Sequence, residues 1–101
     1  MAFKVTWTRE GEDSLEGIYD GLAGIDVDAA DRLLGGIFDT TDVLKRFPYI
    51  GARWEPRGRR TPFREVQYER YRIFYRVDKS RQTVFIMRVW HSSRDEPTFP
   101  E

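Results

Sequence analysis

Between Phe63 and His91 the chain carries three runs of β-forming residues, FREVQY, YRIFYRVD and TVFIMRVWH, joined only by the short turns YERY and DKSRQ. A parallel pair needs a crossover of a dozen or more residues, so connections this short permit only antiparallel hairpins. Alternation then sorts the side chains. In YRIFYRVD, Tyr71, Ile73, Tyr75 and Val77 share one face, and Arg72, Phe74, Arg76 and Asp78 the other. The partner run sets Phe85, Met87 and Val89 against Val84, Ile86, Arg88 and Trp90. An unpaired arginine is too costly to bury, so the wholly apolar sides are expected to face inward. The open face is then expected to carry Arg72, Arg76 and Arg88, interleaved with Phe74, Ile86 and Trp90.

Upstream the period changes. FKVTW alternates Phe3, Val5 and Trp7 with Lys4 and Thr6, the pattern of a half-buried strand. Thr8 or Asp13 can cap a helix in which Leu15, Ile18, Tyr19 and Leu22 recur at helical spacing, with Gly24 at its end. A second helix starts near Asp26 or Asp28 and puts Ala30, Leu33, Leu34, Ile37, Thr41 and Leu44 on one side, until Pro48 closes it. Residues 47–62 hold three prolines and two glycines and are expected to form a loop. The order is β-α-α-β-β-β over a single domain spanning residues 1–101. It predicts an α+β fold with a helical hairpin packed on one face of an antiparallel sheet.

Charge is divided along the chain. Residues 1–52 contain five Lys/Arg against ten Asp/Glu, whereas residues 53–94 contain twelve against four. The formal net charge of zero conceals an acidic helical half and a basic strand half, and an anionic partner would be steered to the second. There is no cysteine and one histidine, so disulfides, thiolate metal sites and multi-histidine metal sites are excluded. No apolar run approaches the roughly 20 residues that cross a bilayer, and the expectation is a cytoplasmic protein with no membrane partner. No cofactor motif is present.

The open face, arginine among aromatics, suits either phosphate contact with base stacking or an acidic amphipathic peptide. It also suits a solvated sheet with cross-strand ion pairs. Arg57, Arg59 and Arg60 make a short basic run within the loop. His91 closes the last strand, and Ser92 and Ser93 follow it too closely for the usual geometry of a nucleophilic triad. An acid/base role for His91 in RNA cleavage, with arginines stabilising the developing charge, is chemically consistent.

Several segments together resemble the RelE/ParE family of bacterial type II toxins. They are the opening FKVTWT, the helix EDSLEGIYD, the FPYIG turn with its Pro-x-x-Gly, FRE before a strand, YRIFYRVD, and VFIMRVWHSSRDEP. The resemblance implies a growth-inhibiting toxin held inactive by a cognate antitoxin, whose acidic amphipathic segment would dock on Arg72, Phe74, Arg76, Arg88 and Trp90. The family's RelE-like branch implies a ribosome-dependent mRNA endonuclease, in which Arg64, His91 and Arg94 would be the catalytic residues. The ParE-like branch implies inhibition of DNA gyrase. The chain has no lysine between Lys45 and Lys79, Ser92 stands where nuclease members commonly carry a basic residue, and the tail has no tyrosine. These departures favour the ParE-like branch. A third alternative is a non-toxic interaction module that retains the fold.

Overall fold

Local signals start the helices. The Thr8 hydroxyl accepts from the Gly11 N–H at 3.1 Å and opens α1, Arg9–Ala23. The Asp26 carboxylate accepts from the Ala29 N–H at 3.1 Å and opens α2, Val27–Asp42. Each cap satisfies a backbone donor that the first helical turn leaves over. After α2 the chain tightens into a 3-10 turn, Val43–Lys45, and the Phe47 N–H closes on the Val43 carbonyl at 3.0 Å just before Pro48. The computed structural model describes residues 2–55 and 63–93.

Five strands form one sheet in the order β1-β5-β4-β3-β2: β1 Lys4–Trp7, β2 Ala52–Trp54, β3 Phe63–Tyr68, β4 Tyr71–Asp78 and β5 Thr83–His91. β3, β4 and β5 are antiparallel, as their short connections require. Glu69 (φ 52°) and Gln82 (φ 48°) take left-handed backbones in the two turns. The sheet departs from the expected one at both edges. β1 lies parallel to β5, from Lys4 opposite Thr83 to Trp7 opposite Ile86, which makes the sheet mixed. β2 is a short strand inside the segment expected to be loop, and it pairs antiparallel with β3.

Both helices pack on one face of this sheet. Leu15, Leu33, Ile37 and Leu44 meet Ile73, Tyr75, Val84, Ile86 and Val89 in the core. Ile37, Leu44, Ile73, Tyr75, Val84 and Ile86 are 0% exposed, and burying each aliphatic side chain among them contributes about 1.5–3 kcal/mol.

A bulge corrects the expected faces of β5. Phe74 lies opposite Arg88 and Tyr75 opposite Ile86, so Met87 is an extra residue on β5. One inserted residue reverses which way every earlier side chain points. Val84 and Ile86 therefore face the helices, and Phe85 lies on the open side beneath Arg76. Beyond the bulge Val89 is inside and Arg88 and Trp90 are on the open side, as alternation requires.

β1 covers only the first part of β5, and α1 covers the next. The Thr8 N–H (3.1 Å) and hydroxyl (2.8 Å) both donate to the Ile86 carbonyl, and the Val89 N–H donates to Ser14 Oγ at 2.9 Å. Between these bonds Gly11 lies so close to the Ile86 carbonyl that a Cβ would collide with it. Gly11→Ala is expected to cost about 1–3 kcal/mol in urea unfolding. Gly17→Ala, on the same helix with open space around its Cα, is expected to be neutral or slightly stabilising.

Candidate functional site

The open face of the sheet is a layer of arginines lying over aromatic rings. The Arg72 guanidinium sits 4.8 Å from the centroid of the Phe74 ring, that of Arg76 4.3 Å from Phe85, and that of Arg88 5.9 Å from Trp90. Such stacking is favourable because the ring face carries partial negative charge. Phe74 itself is fully buried, with Trp54 packed over it at 4.6 Å between centroids. Phe74 therefore supports the face from below and offers it no accessible area.

Two of these arginines, Arg72 and Arg88, are also engaged with carboxylates. Arg72 makes a bidentate pair with Glu65, Nε to Oε2 at 2.7 Å and Nη2 to Oε1 at 3.0 Å. Its side chain is 17% exposed, so this pair is well shielded. Arg88 reaches around the end of α1 to Glu10 at 3.3 Å. Arg76 makes its ring contact with Phe85. The expected partner-binding residues thus share one face in space. Only Phe74 among them is wholly covered.

The candidate catalytic residues lie elsewhere. Arg64 on β3 faces the helix side, opposite Tyr75, and its Nη1 donates to the carbonyls of Tyr49 (3.1 Å) and Gly51 (2.8 Å). The guanidinium also lies over the Tyr49 ring at 5.2 Å. His91 is opposite Tyr71 at the far end of the sheet, edge-on to that ring at 5.2 Å. The Ser93 N–H donates to His91 Nδ1 at 3.1 Å. The Ser93 hydroxyl is 2.6 Å from the same nitrogen, a contact between near neighbours in the chain. Four residues along the strands and two strand spacings across put Arg64 and His91 about 13 Å apart in one direction and about 10 Å in the other. Buried Ile73 and Val89 fill the sheet between them. Arg94, Arg57, Arg59 and Arg60 lie outside the described residues.

The FPYIG turn stands out in the sequence as a Pro-x-x-Gly motif, but the apolar surface it presents does not. Phe47, Tyr49 and Ile50 are exposed, while Pro48 and Gly51 are buried. The Gly51 N–H donates to the buried Tyr75 hydroxyl at 2.9 Å, and burial pushes the Tyr75 phenol above its ordinary pKa. A Cβ at Gly51 would come within 2.6 Å of both the Glu65 carbonyl oxygen and the Tyr75 hydroxyl, so only glycine fits. The signal available in the sequence was three large apolar residues in a Pro/Gly loop, where polar residues are usual. Among the described residues no cluster of three or more His, Asp or Glu could hold a metal ion, and no helix is long and apolar enough to cross a membrane.

A helical hairpin on one face of a small mixed sheet is the fold of the RelE/ParE toxins. A family model described as the ParE toxin of the type II toxin–antitoxin system parDE matches residues 5–96, and the chain belongs to that family. It is the toxin of a type II toxin–antitoxin module. Among solved structures, a chain of the chromosomal ParDE system from P. aeruginosa superposes with a TM-score of 0.71 at 20% identity, covering 89% of this chain and 96% of that one. The RelBE2 toxin–antitoxin complex from Mycobacterium tuberculosis gives 0.60 at 22% identity, covering 90% and 99%. The archaeal RelE–RelB complex from Pyrococcus horikoshii OT3 gives 0.61 at 16% identity, covering 94% and 100%. At these identities the likeness shows the fold. A search of curated protein sequences finds no match.

Proposed function

We propose that this toxin is neutralised by a cognate antitoxin with an acidic, amphipathic segment and that, when released, it inhibits DNA gyrase. The observation that carries the choice of target is the separation of Arg64 from His91. In-line cleavage of RNA needs a base or acid and a cation within hydrogen-bond reach of one phosphodiester. Here the arginine's Nη1 is bonded to two carbonyls of a loop, and the histidine lies four residues along the strands and two strands across from it. Match to the ParE model along nearly the whole chain supports the same reading. The antitoxin part is supported by the basic strand half and by the toxin–antitoxin assemblies among the structural relatives.

Expression of the toxin without antitoxin is expected to arrest growth, with DNA breaks that require gyrase and with bulk mRNA intact. Cuts mapped within mRNA at ribosomal A-sites, with no gyrase-dependent breaks, overturn this target in favour of the endonuclease. Normal growth with soluble toxin present overturns both and leaves the non-toxic interaction module.

A further inference from the structure

Three large apolar residues face solvent on one four-residue turn: Phe47, Tyr49 and Ile50 are 58%, 48% and 61% exposed. Single exposed apolar side chains are ordinary, but a contiguous group marks an interaction site. This group is also held rigidly. The Ile50 N–H donates to the Phe47 carbonyl at 3.2 Å, the Gly51 N–H to Tyr75, and Arg64 ties down the carbonyls of Tyr49 and Gly51. The backbone groups of Phe47 and Gly51, the Ile50 N–H and the Tyr49 carbonyl are thus bonded from the protein side while the apolar side chains are exposed. A surface ordered in advance loses less conformational entropy on binding than a mobile one.

Charge around the turn selects the partner. Lys45, Arg46, Arg53 and Arg64 surround it, against Asp42 and Glu55, which pair with Lys45 at 2.6 Å and Arg53 at 3.0 Å. Arg46 is exposed at the base of the turn. An apolar ridge with an excess of cations fits a segment that presents apolar side chains on one side and carboxylates along its margins.

We infer that the Phe47–Ile50 turn is a preformed docking ridge for the acidic amphipathic segment of the antitoxin, with Arg64 and Tyr75 acting as positioning residues that hold the ridge. The inference rests on the reading of the chain as a toxin held by an antitoxin. It moves Arg64 from chemistry to support. It also places antitoxin contact on a surface distinct from the open face. A competing occupant is a second copy of the toxin, whose helical hairpin carries an apolar groove of Trp7, Leu15, Leu34 and Phe38 rimmed by Glu12 and Glu16.

The test uses the antitoxin encoded beside the toxin gene, purified and titrated against the full-length toxin. The double variant Phe47→Ser/Ile50→Ser changes only exposed side chains and is expected to keep its thermal midpoint while weakening binding at least about tenfold. Arg46→Glu is expected to weaken it several-fold, with the difference shrinking at high salt. Tyr75→Phe is expected to speed hydrogen exchange at the Gly51 amide and to weaken binding to a smaller degree. Unchanged antitoxin affinity in the double variant overturns the ridge and leaves the functional reading standing. Loss of toxin self-association in that variant, at unchanged antitoxin affinity, overturns it in favour of the second copy. Failure of the wild-type toxin to bind the antitoxin overturns the functional reading and the ridge together.

Discussion

Tyr75→Ala is expected to destabilise the protein by about 3–5 kcal/mol, and Tyr75→Phe by about 1–2 kcal/mol, measured by urea unfolding. Tyr75 is fully buried at the centre of the sheet, so truncation removes a large contact area and leaves a cavity. Phenylalanine retains the packing and removes only the hydroxyl. The Gly51 N–H then loses its acceptor inside the protein, which carries the cost of an unsatisfied buried donor. The difference between the two variants therefore separates packing from the hydrogen bond that anchors the loop. If Tyr75→Phe proves as stable as wild type, water or a shifted loop satisfies Gly51 and the hydroxyl is not the anchor.

Arg72→Glu is expected to cost about 1–3 kcal/mol, because it removes the bidentate partner of Glu65 and places a second carboxylate beside it. The lower end of that range reflects solvent screening, since Arg72 and Glu65 remain 17% and 24% exposed. Glu65→Gln in the same background is expected to recover part of the loss by removing the repulsion. Arg76→Glu, by contrast, disrupts a stack over Phe85 and is expected to cost under about 1 kcal/mol. This contrast bears on function. A loss of antitoxin binding in Arg72→Glu mixes folding with recognition, whereas the same loss in Arg76→Glu reports on recognition by the open face. A full stability match between Arg72→Glu and wild type in urea unfolding rules out the shielded pair as a source of stability.

Much of the architecture was legible because its causes are local. Thr8 and Asp26 cap helices through contacts three residues away. The spacing of Leu15, Leu33, Ile37 and Leu44 gives each helix one buried side, and two short turns force β3, β4 and β5 to run antiparallel. The family resemblance rested on these same segments. The position of the candidate catalytic residues was less legible. Arg64 and His91 belong to the same motif set in sequence, but neither motif nor alternation gives their separation across the sheet.

What the sequence determined by itself is the helical hairpin, the central three-stranded meander and the division of charge, since each depends on neighbours within a few residues or on composition. Tertiary structure alone decided the rest. The bulge at Met87 exchanged Ile86 for Phe85 on the open face, because an added residue is absorbed only against the register of a specific partner strand. β1 joined β5 in parallel, a pairing between segments about 80 residues apart. Arg64 meets the FPYIG loop because folding brings the carbonyls of Tyr49 and Gly51 within 3.1 Å of its Nη1, a contact between β3 and a loop that no local pattern specifies.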